Sequence, residues 1–194
     1  PEPSVNKNLF KNSPIDENLF KKLLPSINIY FEYGCGASTK FMLTHSKADI
    51  YSVDTNRDWV DKIIKSKKSS DNGRLTINWV DVGDLGNWGW PKTFAKRSNF
   101  QQYVEWPWTL GIDPDLVLID GRFRICCFLT TIKNSPVGTK IIIDDYNIRQ
   151  EYHIAEEFLD VVEKSKRLAY FENTEKSKKL VTDKIISEFR NVRD

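Results

Sequence analysis

Five carboxylates recur at the ends of short apolar runs: Glu32 within 27–33, Asp54 after 50–53, Asp120 after 115–119, and Asp144-Asp145 after 140–143. Carboxylates accept hydrogen bonds, take up protons and ligate hard cations. A single acid at such a place is commonly a turn or cap residue, but recurrence at run after run argues for a shared crevice. The stretch Glu32-Tyr33-Gly34-Cys35-Gly36-Ala37-Ser38 adds a Gly-x-Gly turn. Glycines let the backbone bend tightly and approach a ligand, and a helix starting there presents unpaired N–H groups. Asp54 lies 22 positions after Glu32, near the spacing of about 20 at which an acid takes ribose hydroxyls in nucleotide-binding βαβ units. A nucleoside is the expected occupant. The dinucleotide fingerprint needs Gly or Ala at position 39, where Thr39 stands, and no P-loop string occurs. An acid two residues ahead of the first glycine suits a ligand with a free amino group better than a pyrophosphate.

The elements that must position these residues follow from pattern. Apolar runs at 27–33, 50–53, 75–80, 115–119 and 140–143 read as buried strands. Helical segments are expected between them at 38–46, with Ser38 as N-cap, at 58–68, with Trp59, Val60, Ile63 and Ile64 on the apolar face, and at 124–133. The spacing further predicts an amphipathic helix over 151–164 and an antiparallel pair from 168–171 and 179–182. Asp71-Asn72-Gly73 and Pro136-Val137-Gly138 read as turns. Strands alternating with helices imply a single Rossmann-like α/β domain, a three-layer sandwich around a mostly parallel seven-stranded sheet whose last strand is antiparallel. Residues 1–26 form an N-terminal extension with one helix, 16–24, ended by Pro25. Residues 83–114 hold four of the six tryptophans, Trp88, Trp90, Trp106 and Trp108, too aromatic for disorder. They read as an ordered cap with a helix near 93–103, either over the crevice or simply completing the core.

The turn Glu32-Tyr33-Gly34-Cys35-Gly36-Ala37-Ser38 resembles the first motif, E/D-x-G-x-G-x-G, of class I S-adenosylmethionine-dependent methyltransferases, with Ser38 in place of the third glycine. The likeness extends over about 27–172. It implies a cofactor surface of Glu32, Tyr33, Gly34, Gly36, Ser38 and Thr39, with Asp54 and Thr55 at the ribose, Asp81 and Val82 near the adenine, and Asp120 and Gly121 beside them. Asp81-Val82-Gly83, Ile119-Asp120-Gly121-Arg122-Phe123-Arg124 and Asp144-Asp145-Tyr146 are similar to a group of small methyltransferase-like proteins. The implied activity is transfer of a methyl group to an oxygen of a small hydroxylated or sugar-like acceptor.

Asp120, Asp144 and Asp145 are hard oxygen donors suited to Mg²⁺ or another divalent cation, and metal-dependent O-methyltransferases carry acids at these two strand ends. A bound cation there would acidify an acceptor hydroxyl. Alternatively, Asp120 or Asp145 acts as general base with Tyr146 orienting the acceptor, and arginines neutralise the cluster or, as Arg122 and Arg124, clamp an acidic group. The competing readings are a methyltransferase-like binding module without turnover and an NAD-linked oxidoreductase, which Thr39 disfavours.

Composition bounds the rest. The 194 residues carry 29 basic and 27 acidic side chains, net +2, and 40% are hydrophobic. That balance argues against disorder and against a dedicated nucleic-acid binder. No run approaches the roughly 20 apolar residues of a membrane span, and residues 1–10 lack an apolar signal core. Cys35, Cys126 and Cys127, odd in number and without metal spacing, predict a reducing, cytoplasmic setting. His45 and His153 read as packing residues, and Lys62, Lys65, Lys67 and Lys68 as a solvated face.

Overall fold

A computed structural model describes residues 17–66 and 73–193, apart from the side chains of Glu17 and Trp88. Lys67, Lys68, Asp71 and Asn72, with the first sixteen residues, lie outside it.

Seven strands form one sheet in the order β3-β2-β1-β4-β5-β7-β6. They are β1 Ile29–Tyr33, β2 Asp49–Asp54, β3 Leu75–Trp79, β4 Leu116–Ile119, β5 Lys140–Ile143, β6 Val161–Ser165 and β7 Leu168–Glu172. The first five pair in parallel, and β7 runs antiparallel to both its neighbours. The fold is Rossmann-like, as the alternating pattern predicts. Alternation along each strand sorts side chains onto two faces. Phe31, Tyr33, Val117, Ile119, Ile141 and Ile143 pack with helices α4 (Ser98–Glu105), α5 (Arg124–Asn134) and α7 (Asp183–Phe189). Tyr30, Ile50, Leu116, Leu118 and Ile142 pack with α1 (Glu17–Leu23), α2 (Ala37–His45) and α3 (Arg57–Ser66). Burial on both faces explains why the central strands read as unbroken apolar runs. The order reverses between β1 and β4, so the turns after these two strands flank the crevice where ligands bind in such sheets.

Four expectations are corrected. Residues 151–164 form no α-helix: a 3-10 segment, Gln150–Glu157, leads into β6. Along β6 half-buried and exposed side chains alternate, so the strand period governs there, and Ile154 and Val162 face water. Residues 179–182 are not the antiparallel partner of β7; β6 is, and α6, Glu175–Leu180, is closed on one side by Thr174, which accepts from Ser177 N, while Thr182 caps α7. Gly36 rather than Ser38 precedes the first turn of α2, because the Ser38 hydroxyl is engaged elsewhere. On α3 only Val60 and Ile63 are buried, while Trp59 and Ile64 are exposed.

The 83–114 stretch is ordered, with α4 starting later than expected and a 3-10 turn at Trp106–Leu110. Phe100, Tyr103 and Val104 of α4 are buried in the core, and Trp108 packs on Phe31, ring centroids 5.4 Å apart. The 100–108 part of the cap therefore completes the core, while 92–98 is exposed. The three cysteines are free and buried, and His45 stacks on Phe41. Among the described residues no helix is long and apolar enough to cross a membrane.

Candidate functional site

Gly34 and Gly121 set the geometry. Gly34 has φ +93°, and a Cβ there would lie 2.7 Å from Gly121 N. A Cβ on Gly121 would fall 1.9 Å from the Tyr103 hydroxyl. Neither position has room for a side chain, so the turns after β1 and β4 touch backbone to backbone. Gly36 differs: a Cβ there meets nothing within 4 Å, because it borders a cavity of about 1120 Å³. That exceeds the roughly 300–1,000 Å³ of ordinary small-molecule sites. The cavity runs from Gly34, Cys35, Gly36, Asp54 and Thr55 to Tyr103, Asp120, Gly121, Arg122 and Asp145.

At its glycine end Asp54 links the β1 turn to the start of α3. Oδ2 accepts from Cys35 N at 2.8 Å, and Oδ1 from Asn56 N at 2.6 Å. Burial raises its carboxyl above the ordinary range against the pull of these N–H donors. Thr55 donates to the Gly89 carbonyl at 3.3 Å, which brings one loop of the cap to the cavity edge.

Glu32 lies behind this wall, fully buried and not in the cavity. Its carboxylate accepts from the hydroxyls of Ser38, Thr39 (2.5 Å), Ser52 (2.9 Å) and Tyr30 (3.1 Å). Thr39 Oγ1 in turn accepts from Gly36 N at 2.9 Å. Burial raises Glu32, and the four hydroxyls oppose it. Ser38 and Thr39 are thus braces of the turn. Tyr33 points into the core, where its hydroxyl donates to Val104 O at 2.6 Å and accepts from Trp108 Nε1. Val82 is a core residue. Asp81 lies outside the cavity, paired with Lys96 and holding Gly83 N at 2.9 Å, with the lysine drawing its carboxyl below the usual range.

At the other end the ligating oxygens of Asp120, Asp144 and Asp145 lie within 4.8 Å of one another. Arginines already occupy them. Arg167 grips Asp144 through Nε–Oδ1 at 2.8 Å and Nη2–Oδ2 at 2.6 Å, and also touches Asp145. Arg124 reaches Asp120 at 3.3 Å and Asp145 at 3.4 Å, and donates to the backbone carbonyls of Gly121, Asp144 and Asp120. Arg149 stands 3.7 Å from Asp145. Burial alone would lower the Arg124 guanidinium, but the surrounding acids hold it protonated. This donor set does not fit a divalent cation, since the lone pairs a metal needs face guanidinium N–H groups instead. Burial, then the neighbouring Asp144 charge, pushes Asp120 well above the carboxylate range. Tyr146 is buried outside the cavity, its hydroxyl donating to Glu156 at 2.7 Å.

Three described non-glycine residues have left-handed backbones: Phe123 (φ 57°), Asp145 (φ 61°) and Lys166 (φ 48°). Such conformations cost about 1–3 kcal/mol each and gather at functional sites. Asp145 belongs to this charge cluster, while Phe123 separates Arg122 from Arg124 and Lys166 precedes Arg167.

Arg167 and Tyr103 were not singled out from the sequence. For Arg167 a signal existed only in part: Lys166-Arg167 stands just ahead of the apolar run 168–171, where a turn into that strand is needed. Lys62 and Trp59, read as a solvated face and as core, line the cavity.

No protein-family model and no curated protein matches the sequence. Among solved structures the chain is similar to a methyltransferase-like protein from Silicibacter pomeroyi, with 25% identity and a TM-score of 0.75 over 100% of this chain and 98% of that one. A candidate methyltransferase from Escherichia coli matches at 15% identity and a TM-score of 0.51, covering 80% of this chain and 81% of the other, which speaks to fold alone. The chain has the Rossmann-like fold of class I S-adenosylmethionine-dependent methyltransferases.

Proposed function

We propose that the protein is an S-adenosylmethionine-dependent O-methyltransferase acting on a small hydroxylated acceptor. The observation that carries this reading is the cavity at the β1–β4 reversal, where a glycine turn held by Glu32 and a buried Asp54 face an acid-and-arginine cluster. The residues fit the cofactor: Gly36 leaves open space, Asp54 offers carboxylate oxygens to ribose hydroxyls, and Trp59 offers a ring face at the rim. Bound there, the cofactor supplies an electrophilic methyl carbon on a sulfonium sulfur. Gly34 and Gly121 let the two turns close on that ligand, and Glu32 fixes the turn from behind without touching it.

Asp120 is the proposed proton acceptor for the acceptor hydroxyl. A carboxylate whose proton is held more tightly than usual is the stronger base once ionised. Arg124 orients Asp120 through its side chain and its backbone carbonyl. Positioning two reactants in one closed space supplies most of what an in-line transfer needs. No step is assigned to a metal.

Calorimetry with S-adenosylmethionine and S-adenosylhomocysteine tests the reading. Binding of both is expected, and Asp54→Ala should weaken it by about tenfold or more, roughly 1.4 kcal/mol, while Asp145→Ala changes it far less. Absence of binding to either ligand, or the reverse order of the two variants, overturns it.

A further inference from the structure

The cavity is lined by six basic side chains against three acidic ones, Asp54, Asp120 and Asp145. A sulfonium cofactor carries a net positive charge, so that excess is not explained by the cofactor. Three of the arginines, Arg124, Arg149 and Arg167, are answered by carboxylates. Arg122 is not. It is 8% exposed, its backbone N–H donates to the Tyr103 hydroxyl at 3.3 Å, and its guanidinium has no hydrogen-bond or ion-pair partner among the described residues. Its nitrogens are not among the buried side-chain atoms that lack a partner, so the guanidinium opens onto the cavity, where a ligand can reach it. The left-handed turn at Phe123 separates it from Arg124, so neighbouring arginines serve different purposes: Arg124 bonds back to the framework, and Arg122 lines the cavity.

We infer that Arg122 is the seat of an anionic group, a carboxylate or phosphate, on the methyl acceptor. The inference rests on the methyltransferase reading and narrows it from any small hydroxylated molecule to an acidic one. The planar guanidinium pairs two oxygens of such a group side by side, a match an ammonium cannot reproduce. The charge ledger agrees, since an anionic acceptor beside a cationic cofactor offsets the unanswered charge of the cavity. The cofactor's own carboxylate is the rival source of the same chemistry.

The experiment uses the full chain and two ligands. S-adenosylhomocysteine affinity is measured by calorimetry for the wild type, Arg122→Gln and Arg122→Lys. Thermal unfolding of the S-adenosylhomocysteine-loaded protein is then followed with malonate, inorganic phosphate or neutral glycerol at matched ionic strength. Arg122→Gln should fold, because no protein partner is lost, and should bind S-adenosylhomocysteine within about threefold of the wild type. Malonate or phosphate should raise the midpoint of the wild type, less that of Arg122→Lys, and not that of Arg122→Gln; glycerol should do nothing to any. A tenfold loss of S-adenosylhomocysteine affinity in Arg122→Gln assigns the seat to the cofactor and overturns the inference, as does an equal anion response in wild type and variant, or none in either. Anion stabilisation that depends on Arg122 in a protein that fails to bind S-adenosylhomocysteine leaves the seat standing and removes the methyltransferase reading instead.

Discussion

Arg167 and Asp144, 23 residues apart, meet through two parallel hydrogen bonds of 2.8 and 2.6 Å across the junction of β5 and β7. The Asp144 side chain is 1% exposed and that of Arg167 39%. The pair therefore joins a buried anion to a cation that keeps one side in water. Replacing Arg167 by Met leaves the anion without its bidentate partner, and an unanswered buried acceptor costs about 1–3 kcal/mol. Arg167→Met should lower the denaturant midpoint accordingly, with Arg167→Lys intermediate because an ammonium keeps the charge and loses the fork. An unchanged midpoint in Arg167→Met contradicts this account of the cluster.

The two glycines of the first turn separate stability from binding. Gly34→Ala forces a Cβ against Gly121 at a positive φ, and such a change destabilises by more than about 1 kcal/mol. Gly36→Ala meets open space and should stay within about 0.5 kcal/mol of wild type, yet weaken S-adenosylhomocysteine binding by placing a methyl group in the cavity. Thermal unfolding and calorimetry on both variants read this contrast. Equal stability of the two would show that the touching backbones carry little of the fold.

Glu32 makes a prediction with a definite sign in pH. Its folded carboxyl titrates above the ordinary 4.5 because it is buried. From about pH 4.5 upward the folded protein holds a proton that the unfolded chain has released, so this group's contribution to stability declines as pH rises through the folded value. Glu32→Gln keeps the shape of the protonated acid and removes the titration. The wild type should therefore lose stability relative to Glu32→Gln as pH rises above 4.5, the ordinary value of the carboxyl. Asp54 and Asp120 are raised in the same direction, and taking the difference between two proteins that share them isolates Glu32. A difference that grows in favour of the wild type across this range runs against the assignment.

The central parallel strands β1, β4 and β5 were legible because both of their faces are buried, which leaves an apolar run with a carboxylate at or near its end. The glycine turn and Asp54 were legible for the same reason, being tied to strand ends. What escaped depends on contacts distant in sequence. Glu32 carries the motif, but whether it faces a ligand or four hydroxyls is decided by Ser38, Thr39 and Ser52 arriving from α2 and β2. Asp81 follows β3 as expected, yet Lys96 of the cap draws it outward. Asp120, Asp144 and Asp145 were found together, and the arginine that answers most of their charge lies in a hairpin whose first strand wore a helix-like pattern.

The cap is fastened from the far end of the chain. Arg193 lies between two rings, its guanidinium carbon 4.8 Å from the Trp90 centroid and 4.1 Å from that of Phe94, and Nη1 donates to Pro91 O at 2.8 Å. The same segment folds back on itself, Gly86 N donating to Trp90 O at 2.6 Å and Lys92 N to Asp84 O at 2.8 Å, and it carries Gly89 to the cavity edge. A cation over exposed rings contributes about 0.5–1 kcal/mol, small against the whole fold but large for one loop. Arg193→Ala should thus leave the global unfolding midpoint nearly unchanged and speed amide hydrogen exchange within 84–94 by about two- to fivefold. Exchange in β4 and β5, the interior of the sheet, should not move. If the 84–94 amides keep their protection, the loop is held by its own backbone bonds and the C-terminal clasp is incidental; if β4 and β5 lose theirs as well, Arg193 supports the domain rather than the cap.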